Sequence, residues 1–180
     1  HAHIYLLDPT ETVLELIAGS GEAGTKMVAD GWRILLDTEH SIVANVARSG
    51  QGDIVNDIQQ TENFLPNALL PDTRSELAVP MRIGQRILGV LDVQSDRVNA
   101  FNENDIQIQN TLAAQVAIAV ENARLFEQVE RRAKQEALVN KISERIQSTT
   151  SVEGALQTAI QELSQALQSP QVQINLRNTT

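Results

Sequence analysis

The sequence predicts an α+β fold: an antiparallel or mixed sheet, then a long C-terminal helix. Three observations carry this. Two apolar runs, Ala2 to Leu7 and Thr12 to Ala18, are separated only by the turn signal Asp8-Pro9-Thr10-Glu11, and strands joined by so short a turn must be antiparallel. Ser75 to Ile83 and Arg86 to Ser95 flank Gly84-Gln85, a suitable two-residue hairpin turn. From Asn102 to Gln147 the chain has helical apolar spacing and neither glycine nor proline.

The elements follow in order. In the first strand Ala2, Ile4 and Leu6 share one face and His3, Tyr5 and Leu7 the other. The second sets Leu14 and Leu16 against Val13 and Ile17. Gly19 to Trp32 is glycine-rich and reads as a loop. Glu39 to Arg48 has helical spacing, with Ser49-Gly50 as its stop. Asp53 to Val55 reads as a short strand, and Asn56 to Thr73, with Pro66 and Pro71, as irregular. The runs Leu77-Ala78-Val79 and Ile87-Leu88-Gly89-Val90-Leu91 are apolar on both faces, so the sheet should be covered on both sides.

The long helix can be capped by Asn102 or Asn104, with Asp105 in its first turn. Ile106, Leu112, Ala113, Val116, Ala117, Val120 and Ala123 form an apolar stripe. Beyond Arg124 the pairs Glu127–Arg131 and Glu130–Lys134 mark a solvated helix. A thinner stripe continues through Leu125, Val129, Ala133, Leu138, Ile142 and Ile146, an imperfect heptad. One helix to Gln147 would be ~65 Å long at ~1.5 Å per residue. A small domain cannot cover that length, so the distal half must project, pair with a second chain or fold back. Ser148-Thr149-Thr150-Ser151 breaks the pattern. Val152 to Leu167 is a second amphipathic helix, stopped by Pro170, and Val172, Ile174 and Leu176 read as a short strand.

Composition narrows the function. The 180 residues are 42% hydrophobic and carry a net charge of −9, from 23 acidic and 14 basic residues. Wholesale disorder is excluded. Nucleic acid and anionic membrane surfaces are poor partners for so acidic a chain, and no apolar run approaches the ~20 residues of a membrane helix. There are no cysteines, hence no disulfide, thiolate nucleophile, thiolate metal site or thioether-linked chromophore. The start, His1-Ala2-His3-Ile4, shows no signal peptide, and the chain reads as a cytoplasmic piece of a longer polypeptide.

Several motifs invite chemistry. Gly19-Ser20-Gly21-Glu22-Ala23-Gly24 matches a dinucleotide-binding pattern, but that turn belongs in a parallel βαβ unit and here follows an antiparallel hairpin, so a flexible loop is expected. His1 and His3 share a strand face and, with His40, would make a poor metal site. Asp92 and Glu76 are carboxylates within central strands and need partners, which Arg74, Arg82 or Arg86 could supply. Nothing nucleophilic accompanies them, so polar anchoring of a ligand or structural pairing is expected rather than catalysis. Asn56-Asp57 suggests an Asx turn that holds the following loop or a contact to a ligand. Trp32 and Phe64 read as lids over a core or as walls of a site.

Arg74-Ser75-Glu76-Leu77-Ala78-Val79-Pro80, Gly89-Val90-Leu91-Asp92-Val93-Gln94-Ser95 with Phe101-Asn102-Glu103-Asn104-Asp105, and the helix Leu112 to Ala123 resemble the central strands and last helix of GAF domains. Ile4 to Asp8 and Asp53 to Asp57 are similar to the first and middle strands. The resemblance covers about residues 1 to 127. It implies an antiparallel sheet with helices on one face and a loop-covered pocket on the other. It also implies a non-catalytic sensor that binds a small molecule or dimerises and signals through its long helix, or a ligand-free domain that only spaces and pairs output domains. A GAF domain normally begins with a helix before the first strand, whereas the sequence here opens on that strand, so a vacant helix position is expected. The connector 128 to 150 is then followed, over 151 to 180, by what resembles the start of a second GAF domain, either cut short, docked back or swapped into a partner.

Family layout places ligand contacts at Trp32, Ile42, Val46, Asp57, Phe64, Leu65, Glu76, Ala78 and Asp92. The thinner stripe, Leu125, Val129, Ala133, Leu138, Ile142 and Ile146, would supply the interface of the homodimer that the resemblance implies. A covalent bilin and the free methionine sulfoxide reductase activity of some members both need cysteines. The cyclic-nucleotide branch carries Asn-Lys and Phe-x-x-x-Asp-Glu, whereas here Ser95-Asp96 stands near the first pair and Ile106 replaces the Glu beside Phe101 and Asp105. Haem would need an axial ligand such as His40. No cofactor is therefore assigned.

Overall fold

A computed structural model describes residues 1–61, 67–148 and 152–166. Phe64, Leu65 and the strand expected at Val172, Ile174 and Leu176 lie outside the described residues. The chain divides into two compact units, His1–Asn122 and Ala123–Thr180. Along it run β1 (Ala2–Leu7), β2 (Val13–Gly19), α1 (Gly21–Ala29), β3 (Arg33–Leu35), α2 (Ile42–Ser49), β4 (Asp53–Val55), β5 (Ser75–Ile83), β6 (Arg86–Ser95), α3 (Glu103–Gln147) and α4 (Val152–Ala166). No described helix is long and apolar enough to cross a membrane.

The first unit holds a six-stranded sheet in the order β3-β2-β1-β6-β5-β4, antiparallel at every pairing. This is the α+β architecture the two hairpins predict. The β1–β2 turn is tied by Asp8, whose Oδ2 accepts the Thr10 hydroxyl and whose Oδ1 accepts the N–H groups of Thr12 at 2.8 Å and Val13 at 2.9 Å. The Thr10 hydroxyl and then the Val13 N–H lower the Asp8 carboxyl from 3.8 to about 2. This turn's contribution is therefore complete above 3.8 and fades as the pH falls towards 2. Pro80 sits in β5 beyond the stretch that β4 pairs, so its missing N–H interrupts no β4–β5 bond.

Both faces are covered. On one, Leu77, Val79, Met81 and Leu88 pack with Ala113 and Ala117 of α3, flanked by Ile4, Leu6, Ile106 and Val116. On the other, Tyr5, Leu14, Leu16, Ala78 and Val90 pack with Met27 of α1 and with Ile42, Val43, Ala44, Val46 and Ala47 of α2. Ser41 caps α2 by accepting the Ala44 N–H at 3.2 Å, and Gly50 ends it at φ 69° in the left-handed region. Asn102 rather than Asn104 caps α3: its Oδ1 accepts the Asn104 N–H and Asp105 Oδ2 accepts its own N–H, both at 2.9 Å.

Three expectations change. The segment read as a loop, Gly19 to Trp32, contains α1. Its glycines serve packing: a Cβ on Gly24 would lie 2.4 Å from the Gly19 carbonyl carbon, so helix and strand backbones touch where neither has a side chain. The three-residue β3 was missed because so short a run has no readable period. On α3 the stripe includes Leu112 and Ala123 only in the sequence pattern. Leu112 is 55% exposed, and Gln109 takes the buried position among the alanines.

Gly24→Ala is expected to destabilise the first unit by about 2 kcal/mol or more, as backbone overpacking does, read from the shift of the urea unfolding midpoint.

Candidate functional site

The sheet's register assembles a buried polar cluster. His3 lies opposite Asp92 across β1–β6, and Glu76 opposite Gln94 across β5–β6. Residues directly opposite share a face, so all four point to the side covered by α1 and α2. His3 Nδ1 donates to Asp92 Oδ2 at 3.0 Å. Gln94 Nε2 donates to the same oxygen at 3.0 Å and to Glu76 Oε1 at 3.4 Å, and its Oε1 accepts the Thr73 hydroxyl at 2.8 Å. His3 Nε2 and Asp92 Oδ1 are buried with no hydrogen-bond partner among the described residues.

The electrostatics follow from burial. Burial, then the Asp92 charge, push the Glu76 carboxyl well above the usual carboxylate range, so the neutral acid is the favoured form. Burial also raises the Tyr5 phenol, and the charges of Asp92 and Glu76 add to it.

Beside this cluster lies a partly enclosed cavity of about 90 Å³. Tyr5, Trp32, Ile34, Ile42, Val43, Ile58, Leu70 and Pro71 give its apolar and aromatic wall, and His40, Ser41, Asn67, Thr73, Glu76 and Gln94 its polar groups. His40 is held at φ 67°, an unusual backbone for a non-glycine residue, directly before the α2 cap. The volume admits roughly six to nine water-sized groups at ~10–15 Å³ each. A second hollow of about 100 Å³, bordered by His1, Asp72 and Asp96, shares Leu70, Pro71 and Thr73 with the first.

Of the ligand contacts expected from sequence, Trp32, Ile42 and Glu76 border the cavity. Val46 and Ala78 do not; both are fully buried in the core beneath it. Asp92 stands behind Glu76, joined to it through Gln94. Asp57 is a turn residue, as the Asx reading has it: its Oδ1 accepts the Gln59 N–H at 3.1 Å and lies 3.7 Å from Arg74. Its neighbour Ile58 is the one that reaches the cavity. Of the three arginine partners proposed for the carboxylates, Arg74 pairs with Asp57 and Arg86 with Glu121, and Arg82 is exposed at the end of β5. Gln94 and Thr73 escaped sequence reasoning, although the period of β6 places Gln94 two residues from Asp92, on the same face.

On α3, Ile108, Leu112 and Ile118 are each more than half exposed. At 100° per residue Ile108 and Ile118 fall roughly opposite the face carrying Gln109, Ala113 and Ala117, and Leu112 falls to its side. In the second unit Leu125, Phe126 and Val129 are at least half exposed, at 50%, 70% and 65%. Ala133 and Leu138 are also exposed, while Ile142 and Ile146 are half-buried.

A GAF domain family model matches residues 1–121. The GAF domain of a phosphoenolpyruvate-protein phosphotransferase from Acinetobacter is 24% identical over 71% of this chain and 73% of its own, with a TM-score of 0.57. The corresponding domain from Coxiella burnetii is 19% identical over 71% and 74%, at 0.61. A type II free methionine-R-sulfoxide reductase from Thermoplasma acidophilum is 22% identical over 67% and 78%, at 0.53. No curated protein matches. The chain belongs to the GAF domain family, a sensory and regulatory fold that also serves some reductases.

Glu76→Gln is expected to raise the melting temperature at pH 8 and to change it little at pH 4.5 or below. The raised carboxyl favours the fold while both states are protonated, and that advantage declines as the pH rises above its ordinary 4.5. The amide carries no charge at any of these pH values.

Proposed function

We propose that this chain is a non-catalytic sensory module. It holds a small molecule in the cavity, pairs with a second copy through α3, and passes the state of the cavity to that helix. The observation that carries the reading is the preformed cavity into which Ser41, Thr73, Glu76 and Gln94 converge. A domain serving only as a spacer would fill that volume with apolar side chains.

A route to the helix is available through the two central strands. Gln109 of α3 donates from Nε2 to the backbone carbonyls of Leu91 at 3.2 Å and Leu77 at 3.4 Å. Leu91 precedes Asp92 and Leu77 follows Glu76, each on the opposite face from its polar neighbour. A ligand that shifts the two carboxylates therefore works on the peptide groups that anchor α3. The exposed Leu125, Phe126 and Val129 supply an apolar surface for pairing.

Native mass spectrometry of the purified chain tests both parts: the expected spectrum is a dimer carrying added small-molecule mass, and a bare monomer contradicts the proposal. Leu125→Lys and Val129→Lys are each expected to weaken the dimer about tenfold or more, or about 1.4 kcal/mol, in sedimentation equilibrium. An unchanged dimer removes this part of α3 from the interface.

A further inference from the structure

The proposal that the cavity is a ligand site can be deepened by its charge. We infer that it takes a small ligand with a positively charged amine, whose cationic end is held by the Glu76 carboxylate against the rings of Tyr5 and Trp32. The ligand class follows from what borders the cavity and what does not. Glu76 is an acidic group in its wall, and no lysine or arginine borders it among the described residues. Behind Glu76, Asp92 adds a second carboxylate whose Oδ1 is buried without a partner. The nearby arginine, Arg74, is turned to Asp57. An anion entering here would meet the Glu76 carboxyl, with Asp92 behind it, and no lysine or arginine among the described residues, whereas an ammonium group meets an acid that can give up its proton and two aromatic rings that favour cations. The volume restricts the ligand to a small one. The opposing influence is the α2 N-terminus with Ser41 and the imidazole of His40, which border the same cavity and favour negative charge. Once a bound cation has displaced its proton, Glu76 carries a full negative charge, which outweighs the partial charge of a two-turn helix.

Binding of the cation displaces the Glu76 proton to solvent. Glu76 interacts with Asp92 and Gln94 of β6 and with Tyr5 of β1, His3 joins the cluster through Asp92, His40 borders the same cavity, and the Arg74–Asp57 pair lies just before its strand. Because burial and Asp92 favour its neutral form, affinity for a cation should rise by up to about tenfold per pH unit while Glu76 is mostly protonated.

Three probes of matched shape test this: n-butylammonium, butyramide and butyrate. Trp32 is the sole tryptophan and borders the cavity, so its fluorescence reports occupancy. The expected result is saturable binding of n-butylammonium, about tenfold or more tighter than either control, strengthening with pH in the native protein, and lost in Glu76→Gln. The pH series uses the unmodified chain and stands even if the variant misfolds. Equal or tighter binding of butyrate or butyramide, or a pH-independent ammonium affinity, overturns the charge assignment and leaves the cavity as a ligand site. No saturation by any of the three overturns both.

Discussion

Two carboxyl groups, Glu76 and Asp92, are buried on adjacent strands in the middle of the sheet, and much of the first unit is arranged around them. Two like charges side by side in an apolar interior repel each other and are poorly solvated. The chain relieves this in three ways. Glu76 favours its protonated form, Gln94 donates to both acids, and His3 donates to Asp92 from β1. The relief is incomplete, since Asp92 Oδ1 and His3 Nε2 lack partners among the described residues. Apolar side chains of similar volume would serve stability at least as well here; Glu76 and Gln94 instead present polar groups to the cavity they border.

The same strands serve both sides of the sheet. Successive residues of β5 and β6 alternate between the polar cluster and the α3 face, so Glu76 and Asp92 are chain neighbours of Leu77 and Leu91, whose carbonyls Gln109 grips. Gln109 is a buried polar residue on a helix face otherwise lined by alanines and branched aliphatics. Its amide satisfies carbonyls on both central strands and ties the helix to the backbone that carries the acids.

Close backbone contact shapes the opposite edge. Gly19 at the end of β2 and Gly24 within α1 meet without side chains, which draws α1 onto the sheet and lets Met27 enter the core. In a sequence, three glycines in six residues look like a loop, because glycine usually marks freedom of the backbone. Here it marks proximity. Ala23, Met27 and Val28, all packed in or against the core, are the helical signal that was available.

The sequence by itself determined the two hairpins, the capped long helix, a helix over Glu39 to Arg48 stopped at Ser49-Gly50, which the structure starts at Ile42 behind the Ser41 cap, and the presence of Glu76 and Asp92 on central strands. These depend on local patterns: alternation, turn residues and caps. Of the ligand contacts expected from loop position and family layout, Trp32, Ile42 and Glu76 border the cavity. The partners of the acids were decided only in three dimensions. A plain two-residue turn at Gly84-Gln85 would set Glu76 opposite Val93, yet the irregularity between Met81 and Arg82 shifts the register by one residue and sets it opposite Gln94, with Ala78 opposite Asp92. A one-residue shift in a β-ladder changes which side chains meet across it. The pairing of His3 with Asp92, which are 89 residues apart in sequence, is likewise a product of the β1–β6 register. Local propensity does not encode such contacts; they arise when distant strands align and bury their polar groups together.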